Sequence, residues 1–233
     1  MTRVCVIGNS HAACFKLAWD TLRIRYPNVA LTFFAARGSR IAALKPRDGI
    51  LIPTSERLRG VIAHTSGGRA AIDLRDYDAV LLVGLTCGYP VATGYYSYAA
   101  ACQALLDLTP KTLAFDLIEK IRKVSDITIF LAHQPLLRHL GDPECEGDLG
   151  PYRRLIKFLN DELMQGVGAT LLRQPAQTIT NYFFTRPEFA VGSTRLDIGD
   201  KWSKVEQREN QRAHMNKRYG DIFLSTHLPT IAY

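Results

Sequence analysis

The sequence predicts an α/β fold with three layers, in which a mostly parallel central sheet lies between two layers of helices. Two observations support this prediction. Short, entirely apolar runs such as residues 4–7 and 79–83 are typical of strands buried on both faces of a parallel sheet. They alternate along the chain with longer segments whose apolar residues recur at helical spacing. This alternation indicates a flavodoxin-like α/β/α sandwich.

The first part of the chain has a strand–helix–strand order. Residues 4–7 form the first predicted strand, and residues 11–26 form a helix whose apolar side chains share one face. Residues 29–35 form the second strand. Residues 46–77 contain short apolar pieces, including 60–63, that are separated by Gly and Pro. This pattern predicts small strands or a hairpin insertion.

The rest of the chain repeats the alternation. The predicted elements are a strand at 79–83, helices at 95–108 and 110–124, a strand at 127–132, a helix at 151–165 and a strand at 169–172. Residues 175–200 have little periodicity, and a segment of this length is uncommon in a compact domain unless it is functional. Residues 202–219 are rich in polar helix formers. No internal repeat or linker is present, so residues 1–233 are predicted to form one domain.

The composition is that of an ordinary globular protein, with 47% hydrophobic and 22% charged residues in a chain of 233. The formal net charge of +7 comes from basic residues spread along the chain. Because there is no zinc-finger spacing and no RNA-binding signature, no nucleic-acid partner is predicted. No apolar run is long enough to cross a bilayer and no signal-peptide pattern is present, so the predicted location is cytoplasmic.

The cysteines and histidines show no spacing that indicates a bound group. An odd number of cysteines without a CxxC pair is typical of buried, reduced thiols. The five cysteines are Cys5, Cys14, Cys87, Cys102 and Cys145. No set of His, Asp and Glu has the spacing of a metal site, and residues 8–13 contain only the first glycine of a dinucleotide-binding GxGxxG. No metal and no cofactor are therefore predicted.

Chemically active residue types follow the ends of the predicted strands. Ligands of open parallel sheets bind outside the carboxyl ends of the strands. Ser10 stands where a helix N-cap belongs, and the N–H groups at a helix start can stabilise an oxyanion formed beside it. A serine hydroxyl attacks only when a base removes its proton, so a histidine must lie nearby. The residues at these strand ends include Asn9, Ser10, His11, Gly38, Thr86 and His133.

Two blocks at opposite ends of the chain resemble those of one enzyme superfamily. The run Val-Ile-Gly-Asn-Ser-His at 6–11 is similar to the first block of the SGNH (GDSL-like) hydrolases, with Asn9 where many members have Asp. The run His-Met-Asn-Lys-Arg-Tyr-Gly at 214–220 resembles their last block, in which the catalytic histidine is often followed by Asn and Tyr-Gly. The resemblance spans the chain in the family's order, although the matched residues are few.

The resemblance implies a serine esterase that acts on a small-molecule or carbohydrate ester, with an O-acylated carbohydrate as the expected substrate. Ser10 is then the nucleophile and His214 its base. The backbone N–H groups of Ser10 and Gly38 would hold the oxyanion, together with Thr86, which stands where the family usually has Asn.

The family's acid, three residues before the histidine, is replaced by Gln211. A neutral amide can orient an imidazole but cannot stabilise the imidazolium. Either the serine and histidine act as a dyad, or another group orients the ring. The alternatives are Gln211 itself, a backbone carbonyl, or one of the nearest carboxylates, Asp200, Glu206 and Glu209.

Three more residues are predicted at the pocket. Asn9 and His11 flank the nucleophile, and His133 follows a strand end. Each histidine also has a purely structural interpretation. His11 can be a first-turn helix residue, and His133 can be a hydrogen-bonded loop residue. Two other functions fit the same site, an O-acyltransferase and a catalytically degenerate domain that binds a glycan or a protein partner. The sequence predicts no oligomeric state.

Overall fold

Strands and helices alternate along the chain. The computed structural model describes residues 1–87, 97–141, 149–208 and 210–232. The strands of these residues are β1 (Thr2–Gly8), β2 (Val29–Ala35), β3 (Leu44–Arg47), β4 (Ile50–Pro53), β5 (Ile72–Asp73), β6 (Ala79–Leu85), β7 (Thr128–His133), β8 (Ala169–Leu172), β9 (Ile179–Thr180) and β10 (Phe184–Thr185). Their α-helices are α1 (Ala12–Leu22), α2 (Glu56–Ser66), α3 (Tyr98–Leu108), α4 (Leu113–Arg122), α5 (Gly150–Leu159) and α6 (Lys217–Ile231).

Five strands form an all-parallel central sheet in the order β2-β1-β6-β7-β8. This is the flavodoxin-like order, in which the second strand lies on one side of the first and the later strands follow on the other. Helices flank the sheet, so the predicted three-layer α/β/α sandwich is confirmed. The order also places the carboxyl ends of β2, β1 and β6 side by side.

The side chains of β1 alternate between the two hydrophobic layers of the sandwich. Val4 and Val6 belong to the layer formed with α1 and α6, whereas Cys5 and Ile7 belong to the layer formed with α2, α3, α4 and α5. All four side chains are fully buried. A period of two with both faces covered explains why the run is entirely apolar.

Helix α6 packs closely against α1. A Cβ on Gly220 would lie 2.3 Å from the carbonyl oxygen of Cys14, so only glycine fits at this crossing. The neighbouring Tyr219 is buried between the same helices. The close approach brings the start of α6 to the end of β1, and with it the first and last blocks of the sequence.

The segment 46–77 contains the predicted hairpin and also a helix. Strands β3 and β4 pair antiparallel, and β5 pairs with β4. Residues 60–63, predicted as a strand piece, lie in α2 instead. Leu58 and Ile62 are buried four residues apart on one helical face, and the Ser55 hydroxyl caps the helix by accepting from the N–H of Leu58. Burial of this helical face and the N-terminal cap therefore keep the segment helical although Gly60 lies within it.

The polar segment before α6 is not helical. Residues 202–208 and 210–216, rich in helix formers, run as turns and irregular chain, and α6 begins only at Lys217. The side chain of Asn216 caps it by accepting from the N–H of Tyr219 at 3.2 Å. Residues 175–200 contain the short antiparallel pair β9–β10 and several turns. Residues 95 and 96 of the predicted helix 95–108 lie outside the described residues.

Two further sequence predictions concern membranes and thiols. Across the part of the chain that the structure describes, no helix combines the length and the apolar character needed to cross a bilayer. Four cysteines are buried, namely Cys5, Cys14, Cys87 and Cys102. Cys145 lies outside the described residues.

Candidate active site

The structure brings Ser10 and His214 together although 204 residues separate them. The Ser10 hydroxyl oxygen and His214 Nε2 lie 3.0 Å apart, which is hydrogen-bonding distance. Ser10 follows the carboxyl end of β1, and His214 lies three residues before the start of α6. This is the geometry of a serine with its general base.

Asn9 shapes the turn that presents Ser10. Its amide nitrogen donates to the carbonyl oxygen of Gly84 at 2.7 Å, and its amide oxygen accepts from the N–H of His11 at 3.0 Å. A carboxylate at position 9 would accept but not donate, so this pair of bonds requires the amide. Gly8 is equally constrained, because an added Cβ would lie 2.4 Å from Val83 Cγ2.

Ser10 does not cap helix α1. The N-cap residue is His11, which makes no side-chain capping bond, and the helix begins at Ala12. The Ser10 hydroxyl instead faces His214, and its backbone carbonyl accepts from the N–H of Ala13 at 3.3 Å. The residue therefore sits at the positive end of the helix with its hydroxyl directed to the imidazole.

Asn216 fixes the chain that carries His214. Its side-chain nitrogen donates to the carbonyl oxygens of Glu188 and Val191, both at 2.8 Å, and its N–H donates to Phe189 at 2.7 Å. These bonds attach the start of α6 to residues 187–191. The Asn of the His-x-Asn-x-x-Tyr-Gly run thus has a physical explanation. Asn216 both attaches the chain to residues 187–191 and caps helix α6.

His214 lacks the third member of a triad. Its Nδ1 atom is buried and has no hydrogen-bond partner within the described residues. Gln211 is exposed, and the Asp200 carboxylate makes a bidentate contact with Arg37 at 2.9 and 3.1 Å. Neither of the residues predicted to orient the ring therefore does so here. Glu206 is also exposed, and Glu209 lies outside the described residues.

The environment of His214 keeps it unprotonated. Burial lowers its pKa below the ordinary value of 6.5, and the nearby positive charge of Arg195 lowers it further. The tautomer whose Nε2 accepts from the serine hydroxyl carries the ring proton on Nδ1. A neutral imidazole in this tautomer is the form that can take a proton from Ser10.

His11 lies directly against the proposed base. The rings of His11 and His214 are stacked, with centroids 4.7 Å apart and planes at 16°. His11 is 6% exposed, and burial, with a smaller effect of His214, lowers its pKa to about 3. The sequence placed His11 near the pocket but gave no sign of the stacking.

The two other proposed oxyanion donors lie in the loops that follow β2 and β6, the strands on either side of β1. Gly8 pairs with Ala35 of β2 and with Val83 of β6, so the loops that follow these three strands are neighbours. Gly38 has a φ of +67° and lies exposed in the loop after β2. Thr86 is exposed directly after β6. Both residues thus follow the carboxyl ends of the two strands that border β1.

His133 belongs to a buried network away from the serine. Its Nδ1 lies 2.6 Å from the carbonyl oxygen of Gln134 and its Nε2 lies 2.9 Å from the Tyr152 hydroxyl. That hydroxyl also accepts from the N–H of Gln174. Burial lowers the pKa of His133 to about 4. This arrangement matches the interpretation of His133 as a hydrogen-bonded structural residue.

Sequence reasoning missed the contacts of the irregular segment before α6. The Arg37 guanidinium donates to the carbonyl oxygen of Leu196 as well as to Asp200, and His64 Nε2 lies 2.8 Å from an Asp197 carboxylate oxygen. Such contacts depend on tertiary placement and leave no local pattern in the sequence. They attach this segment to the loop after β2 and to α2.

No group of three metal-ligating side chains exists among the residues that the structure describes. Comparison of the sequence with protein-family models and with curated proteins found no match to either. The chemical interpretation therefore depends on the site itself.

Proposed function

We propose that this protein is a serine esterase in which Ser10 is the nucleophile and His214 is the general base. The observation that carries the proposal is the 3.0 Å contact between the Ser10 hydroxyl and His214 Nε2 at the carboxyl edge of a parallel sheet. Burial that keeps His214 neutral supports the same role.

The proposed reaction is an acyl transfer to water in two steps. The Ser10 oxygen attacks the ester carbonyl while its proton passes to His214 Nε2, and a tetrahedral oxyanion forms. His214 then gives the proton to the leaving alcohol as the C–O bond breaks, which leaves an acyl-serine. Water attacks this ester by the same route in reverse, and the carboxylic acid is released.

The first donor proposed for the oxyanion is the backbone N–H of Ser10. The N–H of Ser10 lies at the start of α1, whose positive end favours negative charge. We propose the Gly38 N–H and Thr86 as further donors because their loops border the same edge. An O-acylated carbohydrate remains the proposed substrate class, on the resemblance to SGNH hydrolases alone. Cytoplasmic action is proposed with it.

The proposal is tested with p-nitrophenyl acetate and with a fluorophosphonate probe, which labels activated serines. Ser10→Ala is expected to abolish labelling and to lower turnover by about 10³-fold or more, and His214→Gln to do nearly the same. Ser225→Ala, in α6, is the matched control and keeps both signals. Acetate release from glucose pentaacetate then tests the carbohydrate ester, and an added sugar acceptor tests transfer against hydrolysis.

A catalytically degenerate domain is the second candidate, because His214 Nδ1 has no acceptor among the described residues. An imidazolium without a carboxylate beside it is poorly stabilised. Folded protein that neither reacts with the fluorophosphonate nor turns over the ester would overturn the esterase and support this alternative.

A further inference from the structure

The stacked pair of histidines has a role that the serine–histidine contact does not explain. His11 directly follows the proposed nucleophile in the chain, and its ring lies flat against that of His214. One turn of backbone therefore carries both the hydroxyl that His214 must meet and the surface against which its ring lies. A shift of this turn therefore moves the Ser10 hydroxyl and the His11 ring together.

The backbone of His11 is held on both sides of the residue. Its N–H donates to the Asn9 side chain, and its carbonyl oxygen accepts from the Cys14 thiol at 3.2 Å. Gly84, with a φ of +69°, passes so close that an added Cβ would lie 2.3 Å from the His11 Cβ. These contacts fix the backbone and Cβ of His11. The ring itself is held by burial and not by a hydrogen bond, since its Nδ1 has no partner among the described residues.

The ring of His214 is held by hydrogen bonding at one end only. Nε2 faces Ser10, while the buried Nδ1 has no partner in the described part of the chain. In a serine–histidine–aspartate triad the carboxylate at Nδ1 fixes the tautomer and the orientation of the ring. Some other contact must limit rotation of the ring here, and the stacked face of His11 is the contact that the structure offers.

We propose that His11 is the positioning residue for His214, and that ring stacking takes the place of the missing carboxylate in aiming Nε2 at the Ser10 hydroxyl. This inference rests on the proposed function of the site. A stacked aromatic pair contributes a factor of up to about 10 in an equilibrium, less than a carboxylate would. The site is therefore expected to turn over more slowly than a full triad.

The charge state of His11 fits this role. Because burial keeps the pKa of His11 near 3, its ring stays neutral when His214 takes the serine proton. The new imidazolium then faces a neutral aromatic ring and not a second cation. The other groups facing the pair are the Cys14 thiol, whose pKa burial raises, and Arg195, whose charge opposes the imidazolium.

The test compares His11→Ala, which removes the ring, with His11→Phe, which keeps an aromatic ring without nitrogen. His227→Ala is the matched control, because His227 packs on Phe223 with centroids 4.5 Å apart and hydrogen-bonds to the Arg173 carbonyl oxygen. On p-nitrophenyl acetate, His11→Ala is expected to lower kcat about 10-fold with little change in KM. His11→Phe recovers most of kcat, and His227→Ala leaves it unchanged.

Histidine NMR supplies a readout that needs no turnover. In the wild-type protein the His214 ring protons are expected upfield, with the proton fixed on Nδ1. In His11→Ala the upfield shift disappears, and the pKa of His214 rises toward its ordinary value because water reaches the ring face. An inactive wild type with this NMR signature overturns the esterase but leaves the stacking, whereas ordinary His214 shifts overturn the positioning role. A His11→Ala kcat equal to that of wild type overturns it as well.

Discussion

The side-chain amide of Asn9 donates a hydrogen bond to the carbonyl oxygen of Gly84 at 2.7 Å, and this bond joins the turn that holds Ser10 to the end of β6. Gly84 lies at an irregularity in the pairing of β6 with β7 and has a φ of +69°. Its carbonyl therefore leaves the ladder and becomes available to Asn9. The resembling hydrolases often have Asp at this position, and the amide is the feature that sets this turn apart.

Asn9→Asp is expected to destabilise the protein by about 1–3 kcal/mol at pH 7, because a carboxylate beside a carbonyl oxygen replaces a donor with an acceptor. Below about pH 4 the acid can donate its proton, so the difference from wild type shrinks. Urea unfolding at pH 7 and pH 4 measures both effects. Asn28→Asp, on an exposed residue, is the control, and equal losses in the two variants would contradict the prediction.

Arg195 is expected to set the pH range of activity through His214. Its positive charge opposes the imidazolium, so Arg195→Gln raises the pKa of His214. Since activity needs the neutral ring, the acid limb of the kcat/KM profile moves to higher pH. Lys201→Gln is the matched control, because Lys201 and Arg195 both lie 5.3 Å from the Trp202 ring centre. An unchanged acid limb in Arg195→Gln would refute the coupling.

The sequence predicted the fold well because burial on both faces forces β1 and β6 to be entirely apolar. The same logic located Ser10, since the residue after a central parallel strand must lie at the carboxyl edge. Residues 60–63 were misassigned because four residues cannot distinguish a buried strand from one face of a helix. Leu58 and Ile62, four apart, carry the signal that a longer window would have used.

The partners of His214 were not predictable from the sequence. Whether Asp200 contacts Arg37 or the imidazole depends on the path of an irregular segment whose local pattern contains no period. The stacking of His11 on His214 depends on ring orientation across 200 residues of chain, and no spacing encodes it. The residue types at the site were therefore predictable, but their contacts were not.

Asp200→Asn tests whether Asp200 orients His214. The Asp200 side chain is 40% exposed and pairs with Arg37, so solvent screening is expected to leave its charge little effect on stability. Turnover of p-nitrophenyl acetate is expected to stay within about 2-fold of wild type, since the carboxylate does not reach Nδ1. A loss of about 100-fold, with Glu206→Gln unaffected, would instead identify Asp200 as the acid of the triad.

Buried histidines are expected to make the protein sensitive to mild acid. The unfolded chain takes up protons on its histidines as the pH falls below about 6.5, whereas the pKa of His11 in the fold is about 3 and that of His133 about 4. Acidification from pH 7 to pH 5 therefore favours unfolding, by about 2 kcal/mol for each of the two rings. Urea unfolding at the two pH values measures the loss of stability, and in His133→Gln this loss is expected to be smaller by about 2 kcal/mol.

His139→Gln, on a partly exposed ring, is the control. A loss in His133→Gln as large as that of wild type would show that His133 takes up its proton without unfolding, and that the network with Tyr152 does not exclude the charged form.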